Sequence, residues 1–123
     1  MNLSKRIEAK LPEYKEAMRE DYNIAAIEED VIEGIAYTMW RSNFVNDASK
    51  VACTQESELR YIREAFLKGQ LELDLPNEQL DLGIREVCEQ MGPSNRHKQR
   101  AIFYYLLTVK FKRQEVFLAP NNS

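Results

Sequence analysis

Residues 101–111 read Ala101-Ile102-Phe103-Tyr104-Tyr105-Leu106-Leu107-Thr108-Val109-Lys110-Phe111, and after a short polar run the chain continues Val116-Phe117-Leu118. No other segment is as apolar or as aromatic. Ile102, Tyr105, Leu106 and Val109 recur at the three- and four-residue steps of one helix face. Phe103, Leu107 and Lys110 turn onto the neighbouring faces. A helix that is apolar nearly all round is one that other elements cover. The stretch is therefore expected to be the central helix of an all-α domain, and the remaining segments are read for what could surround it.

Working back from Ala101, the run Arg96-His97-Lys98-Gln99-Arg100 is the densest cationic patch. With Ser94 as the cap, the last helix is expected to begin near Asn95, which puts these cations at its N-terminus. Cations there oppose the helix dipole. Arg96, His97, Lys98 and Arg100 are accordingly the candidates for holding an anion or a partner, using backbone N–H groups and charged side chains together. The competing reading is pairing with acids elsewhere, for example the cluster Glu28-Glu29-Asp30.

Four further helices are expected upstream. Leu80, Ile84, Val87, Cys88 and Met91 share one face of a helix capped by Asn77 and stopped by Gly92-Pro93. Leu59, Ile62, Ala65 and Phe66 mark another, with Thr54 as its cap and Gly69 as its end. Between these two, Leu71, Leu73 and Leu75 alternate with polar residues. One period-two run without a partner reads as an extended linker with buried leucines. Ile24, Ile27, Val31, Ile35 and Met39 form a stripe running to Trp40 behind Asn23 as cap, and Gly34 inside it is expected to let another helix approach closely. Leu3, Ile7, Leu11, Tyr14 and Met18 give a first helix that Pro12 interrupts, expected to be peripheral (residues 1–21) and the least firmly packed. Residues 42–53 are the main irregular segment, with Phe44, Val45 and Val51 as anchors. The tail from Ala119 to Ser123 is expected to fray.

The whole chain has 123 residues, which suits one helical domain of about five helices with a core of its own. Hydrophobic residues make up 44% and charged residues 30%, a globular balance. The net charge of -3 gives no global attraction to nucleic acid or anionic lipid. No apolar run approaches the roughly 20 residues of a membrane span. The charged start, Met1 to Arg6, carries no signal-peptide core, so the cytoplasm is the expected compartment and no membrane partner is expected.

In that compartment Cys53 and Cys88 are expected to be reduced, partly buried thiols, with a structural disulfide as the alternative. Cys53 precedes the expected cap Thr54, a position that lowers a thiol pKa. A thiol enzyme or redox sensor at Cys53 is thus a further reading, set against a plain structural thiol. One histidine and two distant cysteines do not make a metal site. His97 has no neighbouring nucleophile in sequence, and no carboxylate spacing singles out an acid and a base. Among four glycines there is no phosphate-binding loop. No cofactor and no catalytic residue is expected. Phe103, Tyr104 and Tyr105 beside the cations could stack on bases, but an aromatic run at helical spacing belongs in a core.

Three blocks carry a family likeness: Val51-Ala52-Cys53-Thr54 leading to Glu58-Leu59, Ile62-Arg63 and Phe66-Leu67; Val87-Cys88-Glu89-Gln90-Met91; and Arg100 through Leu107 on to Phe117. Together, over about Asn23 to Phe117, they resemble a bacterial family of unknown function (number 2853). The resemblance implies a small, all-helical protein and brings no activity, cofactor or site residue with it. The chain departs from the family pattern at Gln55-Glu56, where a proline is usual, and at Gly69-Gln70-Leu71, where a Leu-Gly step is usual. Both departures fall near loops. The expectation is a non-enzymatic interaction or regulatory module that binds another protein or itself. The alternative is a nucleic-acid or phosphate binder through the basic run.

Overall fold

In the computed structural model, which describes residues 3–41 and 50–118, the apolar stretch is a helix with every residue from Arg100 to Thr108 buried. Five α-helices are present among the described residues: α1 Leu3–Glu20, α2 Glu29–Arg41, α3 Glu56–Tyr61, α4 Asn77–Met91 and α5 Arg100–Lys110. A π-helix, Ile62–Gln70, continues α3, and a 3-10 turn, Gln114–Phe117, follows α5. The all-α expectation holds. α5 is central, packing against α1, α2 and α4, while α2 also packs on the 3-10 turn and α4 on the π-helix. Of the defining row, Ile102, Tyr105 and Leu106 are buried and Val109 is half-buried.

The first helix departs from expectation. α1 runs unbroken through Pro12, and its stripe Ile7, Leu11, Tyr14 and Met18 is buried against the core. Proline in a helix interior costs about 3 kcal/mol. Four buried side chains at about 1.5–3 kcal/mol each outweigh that.

The next helix starts later than its apolar stripe suggests. Asn23 is not a cap but adopts a left-handed conformation, φ 56°, and Ile24 and Ile27 lie half-buried in the connection. α2 begins at Glu29 because the Tyr105 hydroxyl accepts the Glu28 N–H at 2.9 Å, fixing the chain entry from the central helix. The Gly34 approach is real, although the partner is the 3-10 turn rather than a helix. A Cβ at Gly34 would collide with the Phe117 carbonyl oxygen. Gly34→Ala is therefore expected to lower stability by about 1–3 kcal/mol by overpacking, although alanine favours a helix by about 1 kcal/mol. Urea unfolding of the two proteins measures the difference.

The π-helix has a visible consequence. Its wider turn, closed by Leu71 N–H to the Phe66 carbonyl at 2.9 Å, places the Phe66 ring on Tyr104 with centroids 3.8 Å apart and an 11° angle. The Phe117 ring lies 6.1 Å from Phe66 on the same stack. Leu71 and Leu73 are buried as expected, but the linker is not extended at its start, where Leu71 is helical and Glu72 left-handed, φ 55°, and Leu75 is 38% exposed. The helix ends differ from the capping expected of Thr54 and Asn77. Gln55 and Pro76 hold the N-cap positions of α3 and α4, without side-chain cap bonds. Phe44, Val45 and the tail from Ala119 lie outside the described residues, as does the side chain of Trp40.

Burial pushes the Tyr14 and Tyr104 phenols up to about 12, with Glu13 adding to the rise at Tyr14 and Arg100 partly opposing it at Tyr104. Both groups bind their protons more tightly folded than unfolded, where the ordinary value is 10.0. The stability they contribute is complete below the unfolded value and is lost as pH rises through the folded one. Denaturant midpoints should fall between pH 10 and about 12, and less steeply when Tyr14 is replaced by Phe.

Candidate functional site

The basic run precedes its helix except for Arg100, the first helical residue. α4 ends at Gly92, φ 105°, and residues 93–99 form a loop before α5. Asn95 shapes it: its Oδ1 accepts the His97 N–H at 2.8 Å, and its Nδ2 donates to the Tyr22 hydroxyl at 2.9 Å and the Met91 carbonyl at 3.0 Å. The Lys98 carbonyl then accepts the Val51 N–H at 2.8 Å, and Gln99 pairs with Lys50 in an isolated antiparallel bridge. Pairing with a segment some fifty residues away holds Lys98 and Gln99 extended, so the helix begins at Arg100 instead of near Asn95. Residues 96–98 therefore precede the helix, and the expected conflict with its dipole narrows to Arg100.

Arg100 is spent inside the protein. Its guanidinium forks onto Glu58, Nη1 to Oε2 and Nη2 to Oε1, both at 3.0 Å, and donates to the Tyr104 hydroxyl at 3.0 Å and the Lys50 carbonyl at 3.1 Å. Its side chain is 3% exposed and that of Glu58 is 17% exposed. Burial works against the guanidinium charge, but Glu58 and Tyr104 together more than offset it and hold the group above its ordinary value. The partner is thus Glu58 rather than the Glu28-Glu29-Asp30 cluster.

Lys98 is different. The residue is 3% exposed, and its ammonium donates to the Asn95 carbonyl at 2.6 Å. That uses one of three donors. Among the described residues no carboxylate pairs with it, and burial alone pulls its pKa below the ordinary value. A buried charge without a counter-charge is costly. Arg96 and His97 are exposed.

Lys98 lines a cleft of about 580 Å³ between the segment 50–54 and the loop 93–98. Lys50 and Arg96 also line it, together with Val51, Cys53 and Asn95, and among the described residues no carboxylate does. In a chain of net charge -3, that is a local reversal of sign. The fold thus brings Arg96 and Lys98 together with Lys50 and turns Arg100 away. Lys50 had no sequence signal, since a lone lysine in an irregular segment is ordinary.

The expectation of two reduced thiols is overturned. Cys53 and Cys88 form a disulfide, with Cα atoms 6.1 Å apart across 35 residues of sequence. Cys53 lines the cleft, and Cys88 sits half-buried on α4. Cys53 also lies two residues before the start of α3's cap rather than at a helix terminus. Phe103, Tyr104 and Tyr105 are enclosed, so they offer bases no stacking surface. Among the described residues no group of three or more His, Cys, Asp or Glu side chains could hold a metal ion, and no helix is long and apolar enough to cross a membrane.

A family model described as "Protein of unknown function (DUF2853)" matches residues 13–115, from within α1 to the 3-10 turn. A comparison with curated proteins gave no match.

Proposed function

The chain belongs to the DUF2853 family, which is defined by sequence and not by an activity, and from that premise we propose that it is a non-enzymatic, cytoplasmic binding module whose cleft takes an acidic segment of a partner protein. The observation that carries this reading is Lys98: a buried ammonium with one hydrogen bond and no carboxylate partner among the described residues, lining a cleft that Lys50 and Arg96 also line. A carboxylate entering there would supply the missing counter-charge. The enclosed aromatic rings and the overall negative charge favour a peptide over nucleic acid as the bearer of that anion.

A fluorescein-labelled peptide of four consecutive glutamates, followed by anisotropy, tests the reading. Binding should weaken as salt rises, since charge–charge attraction between partly exposed groups is screened. Lys98→Met should weaken it about tenfold, the loss of one charge-assisted hydrogen bond. Arg96→Gln, at an exposed position, should weaken it about two- to threefold without touching the core. No binding, or equal binding by the wild type and both variants, would overturn the proposal. Preferential, salt-sensitive capture of a single-stranded oligonucleotide would overturn it in favour of nucleic acid.

A further inference from the structure

The cleft has two walls, and they are covalently joined. One wall, residues 50–54, is held to the other by the Val51 N–H to Lys98 carbonyl bond and by the Lys50–Gln99 bridge. The other, residues 93–98, leaves α4 five residues after Cys88. The Cys53–Cys88 disulfide ties the far end of the first wall to the helix that carries the second. Between Cys53 and the start of α3 at Glu56 there is a turn closed by Gln55 N–H to the Ala52 carbonyl at 3.1 Å. On the inner side, the wall's buried anchor is Val51, 5% exposed. The disulfide is thus the covalent member of a short set of ties, the others being single hydrogen bonds and one apolar side chain.

We propose that the Cys53–Cys88 disulfide is a redox latch that sets the spacing of the cleft walls, so that oxidation assembles the anion-binding cleft and reduction loosens it. The inference rests on the functional reading above and adds its regulation. Cys53 lines the cleft and Cys88 is not among its lining residues, so the proposal places the attack of an incoming thiolate at the Sγ of Cys53, from the cleft. Attack forms a mixed disulfide there and expels the Cys88 sulfur as a thiolate, which takes a proton from solvent. The second thiol of a dithiol reductant then displaces Cys53. The reductant leaves as its own disulfide, and the protein keeps two thiols, having gained two electrons and two protons. In the cytoplasm proposed above, disulfides are rare, and those that form in mesophiles are usually transient and catalytic or redox-sensing. A bond between two walls of a binding cleft is a place where such a transition changes affinity, because a preorganised site loses less ordering entropy on binding.

The test uses the full chain, oxidised and after reduction with dithiothreitol, with two readouts. Hydrogen exchange at the Val51 amide should speed up about tenfold on reduction while amides in α5 keep their rates, as expected for a local opening. Affinity for the tetraglutamate peptide should fall about fivefold, with Cys88→Ser matching the reduced protein. Brief treatment with glutathione followed by alkylation should leave glutathione on Cys53 and the alkyl group on Cys88. Unchanged Val51 exchange, or the reverse labelling pattern, would overturn the latch. Equal peptide affinity in both redox states would overturn the latch and leave the cleft reading standing. Absence of peptide binding in the oxidised protein would overturn the cleft reading, and with it the regulation proposed here.

Discussion

Replacing Phe103 by alanine should cost about 3–5 kcal/mol, the range for truncating a fully buried aromatic side chain. Phe103 is 0% exposed and sits in the helix that α1, α2 and α4 enclose. Its removal leaves a void that several elements would have to close at once. A domain of this size has about 5–15 kcal/mol in all, so one substitution should take a large share of it. Urea unfolding at neutral pH reads the effect as a lower midpoint with little change in slope. Leu82→Ala is the comparison: Leu82 is 54% exposed on α4, and its loss should stay within about 0.5 kcal/mol. Similar costs at the two positions would mean that α5 is not the helix the others pack around.

Arg100→Ala should also cost about 3–5 kcal/mol, for a different reason. The guanidinium ties α5 to Glu58 of α3, to the Lys50 carbonyl and to the Tyr104 hydroxyl. Truncation leaves Glu58, 17% exposed, with its buried partner gone, and leaves the Lys50 carbonyl and Tyr104 hydroxyl each short of a donor. Much of the loss is therefore the penalty of the orphaned groups rather than the worth of the pair. The double variant Arg100→Met with Glu58→Leu should recover a large part of it, because neither charge then remains to be buried. A double-mutant cycle from the unfolding curves of the wild type, Arg100→Met, Glu58→Leu and the double variant gives the coupling, and a value near zero would contradict the forked pair.

The elements that could be read from sequence are those whose signal is local. The apolar period of Ile102, Tyr105 and Leu106 marks a buried helix because a helix repeats every 3.6 residues and burial follows that repeat. The same logic located Leu80, Ile84, Val87 and Met91, and all four are buried. Gly34 points to a close approach by another helix, whereas the element that approaches is the 3-10 turn at Phe117. What escaped was set by partners distant in the chain. The start of α5 moved from Asn95 to Arg100 because residues 98 and 99 pair with Val51 and Lys50, an arrangement that no window around Asn95 contains. α2 starts late because a hydroxyl from Tyr105 meets the Glu28 N–H. The disulfide stands only as the alternative in sequence, because the expected compartment argues for reduced thiols and a separation of 35 residues carries no distance that could argue otherwise.

The candidate site was half legible. Arg96, Lys98 and Cys53 stood out by residue type, and the fold sets all three on one cleft. Their different fates could not be seen: Arg100 looks like its neighbours in sequence but is neutralised by Glu58, whereas Lys98 is buried without an acid to meet it among the described residues. A cation's role depends on what the fold places opposite it. The run of five residues shows only that the cations are adjacent in sequence.

The most direct measurement follows the Lys98 side chain itself, by isotope-labelled NMR of the lysine ε-methylene and ammonium groups as the tetraglutamate peptide is added to the oxidised protein. The account predicts a Lys98 signal that shifts and saturates with the peptide. Its titration should begin below the ordinary lysine value in the unbound protein, where burial disfavours the charge, and move upward once a carboxylate is present. A Lys98 signal that stays fixed while the peptide binds elsewhere, or that titrates identically with and without it, would contradict the account.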